Sequence, residues 1–226
     1  MLYAIIGKFN DISAGSVRGN GKTCGVTHLI YQDYKDGYDI YTNYYTTFSE
    51  LITINSLLDL FNKGKINHAV VVIDEVQKYL NNSGVSVATR KQIVSNFLAQ
   101  SRKIDTDIYI TTQRYKQIHV ELRDQIDKLI LAIKFHYKIT KKGKVKLTNI
   151  CKIDKCKEKH MILLYSISDD ILLPYVINPE ITGKYYNTNE VVTDEYNEDK
   201  DMMKKTLTKK IISQMSIEEL KTALKT

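Results

Sequence analysis

Proline, cysteine and glycine are all scarce in this chain of 226 residues, which holds 2 Pro, 3 Cys and 10 Gly. That scarcity excludes collagen-like, low-complexity and disulfide-scaffold classes, and with 43% hydrophobic and 26% charged residues the chain is composed to fold. No apolar run approaches the roughly 18 residues that a membrane helix needs. The apolar start, Leu2 to Ile6, has neither a basic flank nor a cleavage-site pattern. The expectation is a soluble, unexported protein with one main domain. Cys24, Cys151 and Cys156 are too few for a disulfide framework and point to a reducing cytosol. Cys151 and Cys156 with His160 have the residue types of a zinc site. Their spacing differs from that of paired-Cys fingers and a fourth ligand is missing, so they are read as ordinary buried or edge thiols.

What the chain has in excess is lysine in one place. Lys plus Arg is 33 against 26 for Asp plus Glu, a net charge of +7. The segment from Lys134 to Lys159 holds ten lysines against Asp154 and Glu158, a net of +8, which leaves the remainder about neutral. A localised basic stretch is either a footprint for a phosphate backbone, where each neutralised phosphate releases a counterion, or a solvated hairpin kept soluble by lysine.

Along the chain, Leu2 to Gly7 reads as a short buried strand and Lys8 to Asn20 as a loop feeding a helix that begins near Lys22. Asp39 to Tyr44 reads as a strand, and Ile54 to Phe61 as a short amphipathic helix. The unbroken β-branched run Ala69 to Ile73 predicts a strand covered on both faces. A helix is expected between Thr89 and Lys103, then strands at Asp107 to Thr112 and Lys128 to Phe135. Strands alternating with helices predict a layered α/β fold with a mostly parallel central sheet. Beyond Phe135 the pattern turns β-rich: Phe135 to Ile139 and Val145 to Ile150 flank a Lys141-Lys142-Gly143 turn, and Met161 to Ile167 follows. Asp194 to Asp201 reads as an acidic linker and Thr206 to Leu224 as a helical tail, with Ser216 and Glu219 as a capping box. Residues 1–192, including the basic β-rich segment 134–167, are taken as one domain, and 193–226 as linker and tail.

Gly19, Asn20, Gly21, Lys22 and Thr23 have the form of the end of a phosphate-binding loop. Glycines let backbone N–H groups turn toward the β- and γ-phosphates, Lys22 supplies a point charge, and the Thr23 hydroxyl is a ligand for Mg²⁺. Cys24, next in the opening turn of the helix, joins the candidate nucleotide-binding set. The first glycine of the usual eight-residue pattern falls on Ser16, so either Gly15 or Gly7 takes its place in a lengthened loop. Val70 to Ile73 leads directly into Asp74 and Glu75, two carboxylates at the C-terminal end of a buried strand, where α/β sheets bind ligands. Asp74 suits Mg²⁺ held through water, and Glu75 suits the orientation and deprotonation of an attacking water. Ile108 to Thr112 runs into Gln113, whose amide offers both a donor and an acceptor to a γ-phosphate or water.

These three strand-end elements, together with the segment from Gln100, Ser101, Arg102 and Lys103 through Thr111, Thr112 and Gln113, resemble the FtsK/HerA superfamily of P-loop ATPases. Within it the sequence is most similar to small genome-packaging ATPases of viruses and to Zot-like ATPases of archaea and their viruses. Met1 to Gly7 looks like the opening strand of Zot-like chains and Tyr41 to Tyr44 like their second strand. Leu122, Arg123 and Asp127 look like a later arginine-containing segment, and Tyr185 to Val192 like a closing motif. The resemblance implies a P-loop NTPase fold with an additional strand and a catalytic Glu. It also implies a ring, often a hexamer, that hydrolyses ATP with Mg²⁺ at subunit interfaces and drives double-stranded DNA through its centre. Such a ring takes an arginine from the neighbouring subunit; Arg102 is the first candidate and Arg123 the second. Packaging of a viral genome follows as the leading expectation, with a capsid or portal protein as partner and the cytoplasm, or host cytoplasm, as location. A Zot-like morphogenesis ATPase, a conjugative DNA-transfer ATPase and a nucleotide-gated assembly scaffold are the alternatives.

Overall fold

The computed structural model describes residues 1–9, 12–13, 21–80, 105–141, 145–151, 156 and 158–186. Its strands are β1 (Leu2–Phe9), β2 (Ile12–Ser13), β3 (Asp39–Thr42), β4 (Glu50–Leu51), β5 (Ala69–Ile73), β6 (Thr106–Arg114), β7 (Lys128–Ile139), β8 (Val145–Ile150), β9 (His160–Ser166) and β10 (Ile171–Ile177). The helices are α1 (Lys22–Lys35), α2 (Ile54–Asn62) and three single turns, α3 (Gln77–Leu80), α4 (Val120–Arg123) and α5 (Pro179–Thr182). All the described strands join one sheet in the order β10-β9-β7-β1-β6-β5-β3-β4, with β2 added to β1 and β8 to β7.

From β7 to β4 the neighbours are parallel, while β9, β10, β8 and β2 pair antiparallel. The fold is therefore α/β, with a mostly parallel central sheet flanked by helices. The order places β6 between β1 and β5, so the C-terminal ends of the strands that lead to Lys22, to Gln113 and to Asp74 are adjacent.

Side chains alternate across the sheet and feed two cores. On one face Leu2, Ala4, Ile6, Val71, Ile73, Ile108 and Ile110 pack with Leu57, Leu58 and Phe61 of α2 and Leu122 of α4. On the other, Ile5, Val70, Val72, Tyr109, Ile130 and Ala132 pack with Cys24, Val26 and Ile30 of α1. Every residue of β5 is buried, as expected for a strand covered on both sides. Thr53 caps α2, its hydroxyl accepting from the Ser56 N–H at 3.1 Å.

Three sequence expectations are corrected. The stretch from Lys8 to Asn20 is not all loop: β1 continues to Phe9, and β2 turns back on it through Lys8–Ser13 and Phe9–Ile12 pairs. The strands predicted on either side of Phe135 are one 12-residue strand, β7. Its apolar pattern changes because the first half is buried beside β1 while the second half runs out with β8 toward solvent. Last, β10 was not expected at all. It lies at the sheet edge, where Pro174, which has no N–H, is tolerated and where the register with β9 shifts between Leu172 and Val176. The helix expected between Thr89 and Lys103, the acidic linker and the helical tail lie outside the described residues.

Candidate functional site

Lys22, Thr23, Asp74 and Glu75 converge where α1 begins, beside the ends of β5 and β6. Gly21 caps α1 in the left-handed region (φ 89°) and brings no side chain to the cap, so among the described residues the first N–H groups of the helix have no side-chain acceptor there. No acidic residue occupies the first turn. A helix end of this kind favours an anion through both its N–H groups and its dipole. A Cβ on Gly21 would lie 2.2 Å from Ile162 Cδ1 of β9, so both the backbone angle and the close approach call for glycine.

The Thr23 hydroxyl donates to Asp74 Oδ2 at 3.1 Å. On the other side, the Thr111 hydroxyl donates to Asp74 Oδ1. Thr111 also accepts from the Glu75 N–H at 3.1 Å, and its carbonyl accepts from the Val76 N–H at 3.0 Å. Asn43 holds the same turn from β3: its amide oxygen accepts from the Asp74 N–H at 2.7 Å and its amide nitrogen donates to the Asp74 carbonyl at 3.0 Å. Asp74 is therefore fixed through its main chain and both carboxylate oxygens. Burial pushes its carboxyl above the ordinary range, against the pull of Thr111, Lys22 and Thr23 in the opposite direction. Burial likewise lowers Lys22, while the charges of Asp74 and Glu75 work to keep it protonated.

Glu75 adopts φ 53°, an uncommon angle for a residue with a side chain, and its carboxylate lies 2.7 Å from Lys78 Nζ. Gln113 is half-buried and follows Thr111 by two positions on β6, so strand alternation puts it on the same face. Cys24 is buried in the core beneath α1 and hydrogen-bonds with Tyr186 and Thr182; burial pushes its thiol up to about 12. Its side chain therefore faces away from any ligand at the helix end, leaving its N–H as the group available there. Arg123 does not join this cluster. It lies on α4, whose Leu122 packs on the face away from α1, with its guanidinium carbon 5.6 Å from the Tyr115 ring centroid. Arg102, Gly19 and Asn20 lie outside the described residues.

Asn43 and Thr111 were not singled out as site residues from sequence. Each reads as an ordinary strand-end residue, and the signal available was that both stand in segments that carry the family resemblance. Both Asn43 and Thr111 are buried polar residues that bond to the Asp74-Glu75 turn, and Asn43 also donates to the Tyr79 hydroxyl at 3.1 Å.

A family model for zonular occludens toxin (Zot) matches residues 12–165. No curated protein matches the chain. Among solved structures, the N-terminal domain of zonular occludens toxin from Neisseria meningitidis is similar at 15% identity, covering 82% of this chain and 98% of that one, with a TM-score of 0.48. The pCW3 conjugation coupling protein TcpA, solved with ATPγS, is similar at 17% identity over 77% of this chain and 60% of that one, TM-score 0.44. B204, the DNA-packaging ATPase from Sulfolobus turreted icosahedral virus, is similar at 14% identity over 79% and 97%, TM-score 0.43.

Proposed function

Because the chain belongs to the zonular occludens toxin (Zot) family, we propose that it is an ATP-hydrolysing translocase of double-stranded DNA, serving to package a viral genome. The observation that carries the ATPase reading is the arrangement of Lys22, Thr23, Asp74 and Thr111 around a helix start with no side-chain cap. Lys22 and the α1 N–H groups hold the phosphates, and Gln113 offers its amide to the γ-phosphate or the attacking water. Glu75 takes the proton from that water. Its carboxylate is ion-paired with Lys78.

The oxygen donors of Thr23 and Asp74, 3.1 Å apart beside a buried lysine, fit a hydrated Mg²⁺. Thr23 would ligate the ion directly and Asp74 through water, and the ion would neutralise charge on the phosphates. In this reading the active form is a ring, with Arg102 or Arg123 reaching the neighbouring subunit's nucleotide.

The DNA reading rests on the lysines of β7 and β8. Lys138 and Lys146 are directly opposed across the antiparallel pair and both are exposed, as is Lys141. Like charges opposite each other weaken a sheet unless an anion lies between or over them. The test is steady-state ATP hydrolysis with and without duplex DNA over a range of salt, beside Glu75→Gln. Turnover that rises with DNA, falls steeply with salt and vanishes in Glu75→Gln is expected. Nucleotide binding without turnover in the assembled protein would leave a nucleotide-gated scaffold instead.

A further inference from the structure

Away from the phosphate-binding end, His136, Cys151, Cys156 and His160 bring one metal-ligating atom each to a common point, all within 4.8 Å of one another. The register of the sheet makes this cluster. His136 on β7 and His160 on β9 are direct partners across the antiparallel ladder, with ring centroids 4.7 Å apart and planes tilted by 42°. Cys151 directly follows β8, where its N–H bonds back to the Lys134 carbonyl at 2.8 Å. Cys156 lies in the connection from β8 to β9. None of the chain's cysteines is disulfide-bonded. In sequence Cys151, Cys156 and His160 have no evident fourth ligand; the fold supplies it as His136, on the preceding strand.

We propose that His136, Cys151, Cys156 and His160 form a structural zinc site that ties the lysine-rich β7–β8 ribbon to β9. Two thiolates and two imidazoles are a donor set for zinc and not for Mg²⁺ or Ca²⁺, which take oxygen ligands. Four protein ligands leave no position for water or substrate, which makes the site structural and not catalytic. Zn–S bonds of about 2.3 Å and Zn–N bonds of about 2.0 Å in a tetrahedron put ligand atoms roughly 3.3–3.8 Å apart, so closure on the ion needs a contraction of about 1 Å.

The surroundings agree with a bound cation. His160 Nε2 is buried and has no hydrogen-bond partner among the described residues, a costly state for a polar atom unless something binds it. His136 Nδ1 is likewise buried without a hydrogen-bond partner among the described residues, with the Glu158 carboxylate 2.8 Å away as an ion-pair contact. The site also borders the nucleotide end. His160 and Ile162 point to the same face of β9, and Ile162 is the side chain that closes on Gly21. Zinc at His160 would thus anchor the strand that backs the start of α1, along with the ribbon proposed to meet DNA.

The test is metal analysis of the full chain, purified under reducing conditions without a metal-affinity step. About one zinc per chain is expected, and the chelated protein should take up cobalt with the visible absorption of a tetrahedral site and a thiolate-to-metal charge-transfer band. His136→Ala and the double change Cys151→Ser, Cys156→Ser should lose the ion or bind it at least ~10–100-fold more weakly. His136→Cys should keep it, as should His119→Ala, an exposed histidine outside the cluster. Wild-type protein with no zinc, whose reduced apo form gives no tetrahedral cobalt spectrum, would overturn the site. Full zinc content in the double cysteine variant would do so as well. These readouts are independent of ATP turnover, so the zinc site stands or falls separately from the ATPase reading.

Discussion

At the C-terminal end of the parallel sheet the chemistry arrives in short contiguous packets: Gly21-Lys22-Thr23 opening α1, Asp74-Glu75 ending β5, and Thr111 to Gln113 ending β6. In the antiparallel β7–β9 region Cys151, Cys156 and His160 lie close in sequence, but the fourth side chain, His136, stands on an earlier strand and joins them because it shares a rung of the ladder with His160. The contrast follows from topology. Parallel strands all point their C-terminal ends one way, so each strand-to-helix turn delivers its own local group to a common edge. Antiparallel strands bring residues together by register, and register is invisible in any one segment.

The largest effect that separates the two regions is expected from Glu75→Gln. Turnover should fall by ~10²–10⁴ while nucleotide still binds, since only the proton acceptor is removed. Phosphate release and nucleotide titration check this, and zinc content should not change. An equal loss in zinc would mean that the two regions fold as one cooperative unit and that the comparison is too sharp.

Gly21→Ala tests the contact between them. The substitution places a side chain at φ 89° and drives it into Ile162 of β9. The left-handed angle alone costs ~1–2 kcal/mol, before β9 yields. Nucleotide affinity and thermal stability should both drop. If stability holds while affinity drops, β9 is not backing the helix start.

Thr111→Val is next in size. It preserves shape but removes the hydroxyl that donates to Asp74 and accepts from the Glu75 N–H. Leaving buried polar atoms without partners should cost ~1–3 kcal/mol in urea unfolding, with a parallel fall in turnover. On the ribbon, Lys138→Gln with Lys146→Gln should weaken duplex binding and lower the slope of log affinity against log salt by roughly 2, about 0.9 for each phosphate that is no longer neutralised. Stability should hold or rise slightly, because two opposed like charges are gone.

The same contrast explains what was legible in sequence. Lys22, Asp74 and Glu75 were visible because a Gly-Lys-Thr turn and a valine run ending in two carboxylates each carry their meaning locally. Strand β5 was readable to the residue because burial on both faces forces an unbroken β-branched run. Thr111 and Asn43 were not readable as site residues, since threonine and asparagine at strand ends are ordinary and their role depends on a neighbouring strand. His136 was hidden for a stronger reason: it is one of several alternating residues on β7, and only the β7–β9 pairing sets it opposite His160. Strand β10 contains Pro174, whose missing N–H is tolerated at a sheet edge, a position that no single segment reveals.

The smallest effect compares two carboxylates on the α1 side of the sheet. Asp74 is buried but fully bonded, whereas Asp33, in the last turn of α1, has its Oδ2 buried with no hydrogen-bond partner among the described residues. Burial, with Asp107 and Asp36 adding repulsion, raises Asp33 to about 6 from 3.8. A negative charge near a helix C-terminus also opposes the dipole. A folded-state pKa above the unfolded one means that the folded protein holds the proton more tightly. Asp33 therefore contributes no penalty below about pH 4, a growing one as pH rises from 4 to 6, and the full penalty above that. Asp33→Asn should accordingly stabilise the protein at pH 7, by no more than ~1 kcal/mol once solvent screening of a partly exposed group is allowed for. The gain should fade to nothing by about pH 4. Urea midpoints of wild type and variant across that range decide it: a gain that is constant with pH would mean that the aspartate is unfavourable for its shape and not for its charge.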